Sequence, residues 1–146
     1  MAVPVEVDEI AASRLQRVSQ RYTKGRRALV GALRTAGQPV SIPELLERDP
    51  GLPQSSAYRN LTVLESAGVV RRVVSTDEFT RFELAEDLTE HHHHLICSIC
   101  GTVSDVTVPP GVEAAVDRAV DAVAKATGFV TDHHRLDLVG RCADCA

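Results

Sequence analysis

Six histidines and four cysteines carry the chemistry of this 146-residue chain, and most of them are bunched. His91-His92-His93-His94 leads through Leu95 and Ile96 into Cys97-Ser98-Ile99-Cys100-Gly101, and Cys142-Ala143-Asp144-Cys145 repeats the Cys-x-x-Cys spacing. Each pair places two thiolates on one tight turn. Two such turns, Cys97/Cys100 and Cys142/Cys145, close a tetrahedral zinc site with Zn–S distances of about 2.3 Å. Four protein ligands leave no open position, so that zinc would be structural and would add folding energy to a small core. Two separate dithiols or a redox pair form the competing reading.

The histidine run has its own meaning if it is extended. Successive side chains of a strand point to opposite faces, so His92 and His94 face one way while His91 and His93 face the other. One strand can then feed two metal sites, each needing further ligands from elsewhere. Glu83 is the candidate on the side of His92 and His94. Glu113 and His134 are the candidates on the side of His91 and His93. A tag or a solvated polar run would be the alternative, but tags are terminal and usually longer.

These side chains must be positioned by the elements around them. Apolar spacing predicts a helix over 8–20 and a second, capped by Thr23, that carries Leu29, Val30 and Leu33 and stops at Gly37. Residues 38–41 read as a turn. Ser41-Ile42-Pro43-Glu44 has the pattern of a capping box with an early proline, opening a short helix to Arg48. The next helix, from Gln54 to the stop at Gly68, turns Leu61, Leu64 and Ala67 inward and leaves Ser56, Tyr58, Arg59 and Thr62 largely on the other side. Two strand-like runs, 69–74 and 79–84, with a turn at 75–78, predict a hairpin. Helix, short helix, polar-faced helix and hairpin is the order of a winged helix-turn-helix. In that fold the polar-faced helix enters the major groove, and Arg59 and Tyr58 would meet bases and phosphates.

The second half predicts a strand over 92–97, a partner over 102–108, a helix over 112–127 with a broad apolar stripe, and a last strand over 130–139 bearing His134 near its start. The expected class is α+β: a winged-helix domain over residues 1–85, a hinge over 86–90, and a small dimerisation and metal-binding domain over 91–146. About sixty residues make little core alone, so pairing with a second copy follows.

Charge supports the division. Residues 1–85 hold 12 Lys/Arg and 10 Asp/Glu, whereas residues 86–146 hold 4 and 10. A basic half joined to an acidic half suggests that only the first meets a polyanion. No apolar run approaches the roughly 20 residues of a membrane span, and residues 1–10 lack the pattern of a signal peptide. A cytoplasmic protein is expected, where paired Cys-x-x-Cys motifs favour metal thiolates over disulfides.

From about Tyr22 to Cys145 the sequence resembles the ferric uptake regulator family of metal-sensing bacterial repressors. The resemblance is carried by Ser56-Ala57-Tyr58-Arg59-Asn60-Leu61, Arg81-Phe82-Glu83-Leu84, the segment His91 to Gly101, Gly128-Phe129 and Gly140-Arg141-Cys142-x-x-Cys145. It implies a homodimer on a palindromic DNA operator, with no enzyme activity and no small organic substrate. It implies structural zinc on the four cysteines, a regulatory Fe(II), Mn(II) or Zn(II) on Glu83, His92 and His94, and a further metal site on His91, His93, Glu113 and His134. A zinc uptake regulator or peroxide sensor of the same family, a zinc metalloenzyme and a metal-buffering interaction module are the alternatives. The sequence departs from the family at Pro39, where many members have a metal-binding His; Glu86 and Asp87 are candidates to replace it. The segment between Glu83 and the histidines is about two residues longer than usual, His93 stands where Asp is common, and Glu113 falls about one residue late.

Overall fold

Val7, Ala11 and Leu15 recur every four residues along the first helix, α1 (Val5–Arg17), and all three are buried. Glu6 and Asp8 in its first turn, and Arg14 and Arg17 in its last, complement the helix dipole. The structure, a computed structural model, describes residues 5–146. The absence of a leader read from residues 1–10 therefore falls partly outside the described residues. Helix α1 ends at Arg17, short of the expected Gln20, and Ser19 in the left-handed region (φ 58°) turns the chain away.

Helix α2 (Lys24–Ala36) is capped by Thr23, whose hydroxyl accepts from the Arg26 N–H, and ends on Gly37 at φ 64°. The expected turn at 38–41 is instead partly a strand. Val40–Ser41 (β1) adds to the edge of the wing sheet opposite Phe82 and Arg81, because Val40 is buried and its backbone needs partners. Ser41 and Glu44 then form both bonds of a capping box for α3 (Ile42–Arg48). Helix α4 (Gln54–Ser66) buries Ala57, Leu61 and Leu64 against α2 and the wing.

Strands β2 (Val70–Val73) and β3 (Arg81–Leu84) pair antiparallel, and the sheet order is β1-β3-β2. Their connection is longer than the four-residue turn expected. Asp77 explains it: its carboxylate accepts the Phe79 N–H and holds both terminal nitrogens of Arg81, at 2.7 and 2.9 Å. Arg81 is 2% exposed and is also bonded to Glu44. A guanidinium so buried is tolerated only when paired in this way. Phe82, Leu84 and Leu88 complete a core shared with the four helices. Leu88 reaches it from a single 3-10 turn, Glu86–Leu88.

The second sheet has β4 (His93–Cys97) at its centre, antiparallel to β5 (Val103–Val106) and parallel to β6 (Asp137–Gly140). The last strand is shorter than expected, so His134 lies in the loop ahead of it rather than on it. Helix α5 (Pro110–Thr127) has the predicted apolar stripe, yet none of its residues is buried. Val112, Val123, Phe129, Val130, Leu138 and Val139 are all exposed.

The wing also touches this second sheet. Val73 joins Ile96 and Val103 in a small buried cluster. Ser75 and Thr76 donate hydroxyl bonds to the carbonyls of Gly101 and Cys97, at 2.5 and 2.7 Å. Gly101 has φ 77°, and a Cβ there would strike the Asp77 carboxylate. Gly101→Ala is therefore expected to destabilise the chain by about 2–3 kcal/mol, the sum of left-handed strain and the displaced carboxylate. Urea unfolding measures this, and an unchanged midpoint would contradict the contact.

Candidate metal centres

The four cysteine sulfurs converge where β4 ends and the residues after β6 return. The Gly101 N–H to Cys97 carbonyl bond closes the first turn, the Cys145 N–H to Cys142 carbonyl bond closes the second, and Ser98 ties them by donating to the Gly140 carbonyl at 2.7 Å. Cys97 Sγ accepts the backbone N–H groups of Ile99, Cys100 and Cys142 at 3.4–3.5 Å. Those donors, Cys100 and Cys142 foremost, draw its pKa down to about 6. Cys100 Sγ and Cys142 Sγ are 3.8 Å apart, far from a disulfide and equal to the edge of a tetrahedron with metal–sulfur bonds of about 2.3 Å. All four sulfurs lie within 4.8 Å of one another. The hydrogen bond to Cys142, burial and the other sulfurs push Cys145 up to about 12. Four thiolates cannot share this space without a cation, so the donor set fits a divalent ion.

Alternation along the histidines divides them as strand geometry requires, although the strand itself begins only at His93. His92 and His94 lie ring to ring at 5.2 Å on one side; His91 and His93 do so at 4.7 Å on the other. On the first side, Glu83 from β3 presents Oε2 to His92 Nε2 at 3.1 Å and Oε1 to His94 Nε2 at 3.0 Å. Asp105 from β5, opposite His94 in register, lies 3.7 Å from both nitrogens. The four groups form one cluster within 4.8 Å.

The outer nitrogens of these rings are oriented too. His92 Nδ1 lies 2.8 Å from the Glu90 carbonyl, and His94 Nδ1 lies 3.4 Å from Asp137. A carbonyl only accepts, so Nδ1 of His92 carries the proton and Nε2 of the neutral ring presents a lone pair to Glu83. Two acceptors meet at 3.1 Å only with a proton or a cation between them. Without metal the proton takes that place. Burial opposes the charge on His92, but the Glu90 carbonyl and the carboxylates of Glu83 and Asp105 outweigh it and raise the pKa.

Burial also works against the charge on Glu83, yet the bond from His94 and the Arg71 guanidinium prevail and hold it at about 2. Its folded value lies below the ordinary 4.5. The charged carboxylate thus contributes stability above about pH 4.5 that is lost as pH falls toward 2. For the metal-free chain, urea midpoints should drop across that window, and in Glu83→Gln this part of the drop should vanish. An equal drop in the variant would contradict the assignment.

On the opposite side, Glu113 in the first turn of α5 gathers three imidazoles. Oε1 lies 2.9 Å from His91 Nε2 and 2.6 Å from His134 Nε2, and Oε2 lies 2.8 Å from His93 Nε2. His93 foremost, with His91 and His134, holds the Glu113 carboxyl at about 2. His134 Nε2 is buried against the Glu113 carboxylate. Three imidazole nitrogens and a carboxylate within 4.8 Å of one another form a donor set that fits a cation.

The surface of α4 completes the inventory. Tyr58, Arg59 and Thr62 are exposed, with the Thr62 hydroxyl bonded to the Tyr58 carbonyl and the Arg72 guanidinium over the Tyr58 ring. Ser56 is half-buried beside them, and Ser55 takes the place in line with the others.

A sequence model of the ferric uptake regulator family matches residues 17–139. The chain belongs to that family. Its members are DNA-binding transcriptional regulators that work as dimers. The chain is 32% identical over 97 residues to the peroxide operon regulator of Bacillus subtilis strain 168, covering 66% of this chain and 61% of that protein. The ferric uptake regulator of Helicobacter pylori shares the fold at a TM-score of 0.72 and 24% identity, over 96% of this chain and 91% of that one. A zinc-bound manganese uptake regulator superposes at 0.64 with 30% identity, over 93% and 98%.

Neither Glu86 nor Asp87, the candidates for the place of the histidine missing at Pro39, belongs to the Glu83 cluster. Asp87 pairs with Arg14, and Glu86 turns to His91 and Arg71. Asp105 joins the cluster instead. Its signal was a carboxylate inside an otherwise alternating strand, but only the register places it opposite His94. Arg71 faces Glu83 across β2–β3, a pairing that only the strand register reveals.

Proposed function

We propose that this chain is a metal-dependent DNA-binding repressor acting as a homodimer. Residues 1–85 would be the DNA-reading domain, 86–90 the hinge and 91–146 the dimerisation domain. Zinc on Cys97, Cys100, Cys142 and Cys145 would be structural. Glu83, His92, His94 and Asp105 would hold the regulatory ion, and His91, His93, Glu113 and His134 a further one. The carrying observation is that Glu83 is donated by the wing, while His94 and Asp105 come from the second sheet and His92 from the residue leading into it. A cation shared between them binds the closed arrangement better than an open one and shifts the population toward it.

The unburied helix α5, the exposed strand β6, and Phe129 and Val130 at 68% and 83% exposure support pairing with a second copy. Pairing would set two α4 helices, with Ser55, Tyr58, Arg59 and Thr62 in line, on a palindromic operator. Oxygen and nitrogen ligands suit Fe(II), Mn(II) or Zn(II). Selection of bound DNA from a random pool, with and without each ion, tests this reading. One sequence should emerge in palindromic form only with the activating ion; no enrichment with any ion would refute it. The likeness to a peroxide operon regulator favours a peroxide-responsive variant as second reading. Loss of DNA binding after peroxide treatment of the Fe(II) form, but not of the Mn(II) form, would select it.

A further inference from the structure

We propose that Arg71 is a built-in counter-cation of the hinge cluster, competing with the incoming metal ion for Glu83 and setting how tightly that ion binds. The inference rests on the hinge-site reading above. Register places Arg71 and Glu83 directly opposite on β2 and β3, so their side chains share a face. Arg71 Nε and Nη2 both lie 2.6 Å from Glu83 Oε1, the oxygen that also receives His94. Nη2 is 3.5 Å from His92 Nε2, inside the space a hinge ion would use. A guanidinium never loses its proton and offers only donors. It offers no lone pair to a metal, and its two N–H groups at 2.6 Å occupy lone-pair positions of Oε1 for which an incoming ion would compete.

The structure supplies a place for it to go. Nη1 is already 3.8 Å from Glu86 Oε2, and Glu86 Oε1 is 2.5 Å from His91 Nδ1. Binding a divalent ion would hand Arg71 from Glu83 to Glu86. The residual repulsion between a divalent ion and a guanidinium about 5 Å away weakens binding. In the metal-free chain the same arginine keeps Glu83 charged and in position. Arg71 is thus a positioning and affinity-setting residue, not a ligand.

Removing its charge should tighten metal binding, the opposite of what loss of a merely structural arginine would do. Mn(II) affinity is measured by chelator competition on the zinc-loaded full chain carrying Glu113→Ala and His134→Ala, which leave the second cluster only two imidazoles. Arg71→Gln and Arg71→Met are each expected to bind Mn(II) roughly tenfold more tightly, with Arg71→Lys within about threefold of the parent. Thermal melting identifies which neutral variant remains cooperatively folded. Equal or weaker affinity in a neutral variant that melts cooperatively overturns the proposal. Glu83→Gln separates the two ideas: if it leaves Mn(II) affinity unchanged, the hinge site itself is wrong. If it weakens binding while the neutral Arg71 variants do not tighten it, only the role of Arg71 is wrong.

Discussion

Cys142→Ser is expected to remove zinc and unfold the second half of the chain. Residues 91–146 have almost no core of their own. Their buried apolar side chains are Ile96, Cys97 and Val103, and Ile96 and Val103 form their small cluster only with Val73 of the wing. Helix α5 buries nothing and β6 is exposed throughout. What fixes the return of the chain beside β4 is the parallel ladder to β6, the Ser98–Gly140 bonds and the sulfur cluster. Structural zinc supplies about 10–16 kcal/mol of apparent folding energy in small domains, comparable to the whole net stability of a domain, about 5–15 kcal/mol. Zinc content should fall from one tightly held equivalent toward zero, and sedimentation should show monomers. The helices of residues 5–68 should keep their far-ultraviolet signal, because their core is separate. A zinc-free variant that stays dimeric with an unchanged melt would contradict this account.

Glu83→Ala carries the second large effect. Glu83 is the one member of the hinge cluster that comes from the wing side, and its carboxylate spans both imidazoles. Without it the ion would rest on the second sheet alone and have no reason to prefer the closed arrangement. Allosteric couplings of about 1–3 kcal/mol correspond to roughly 5–150-fold in affinity. The wild-type chain should gain operator affinity within that range on adding the regulatory ion, and Glu83→Ala should gain less than about threefold. Glu113→Ala should retain most of the response, since its cluster lies wholly within residues 91–134. Fluorescence anisotropy with a labelled operator reads all three. An undiminished response in Glu83→Ala would remove the wing from the mechanism.

Much of this arrangement was legible because it depends on local rules. Thr23, Ser41 and Glu44 announce their helices by hydrogen-bonding chemistry that needs nothing distant, and the alternation of His91 to His94 follows from extended backbone alone. The cysteine pairs are equally local, since each turn presets its two sulfurs. What the sequence concealed depends on register and on packing between distant segments. Asp105 enters the hinge cluster only because β5 pairs Asp105 with His94. Arg71 matters because β2 pairs it with Glu83. His134 reaches its cluster from a loop, through Glu113, rather than by the periodicity of a strand. The wing connection is long because Asp77 reaches forward to a buried arginine and its neighbours grip carbonyls of the cysteine turn. The stripe on α5 reads as a core helix, yet this chain alone offers nothing to cover it.

Anomalous diffraction at the zinc edge, from crystals grown with excess Zn(II), tests most directly whether one ion joins the wing to the second sheet. The account predicts a peak about 2.0–2.2 Å from Glu83, His92 and His94, with Asp105 completing the shell and Arg71 turned toward Glu86. Zinc confined to the cysteines and the Glu113 cluster, with Glu83 still held by Arg71, would contradict it.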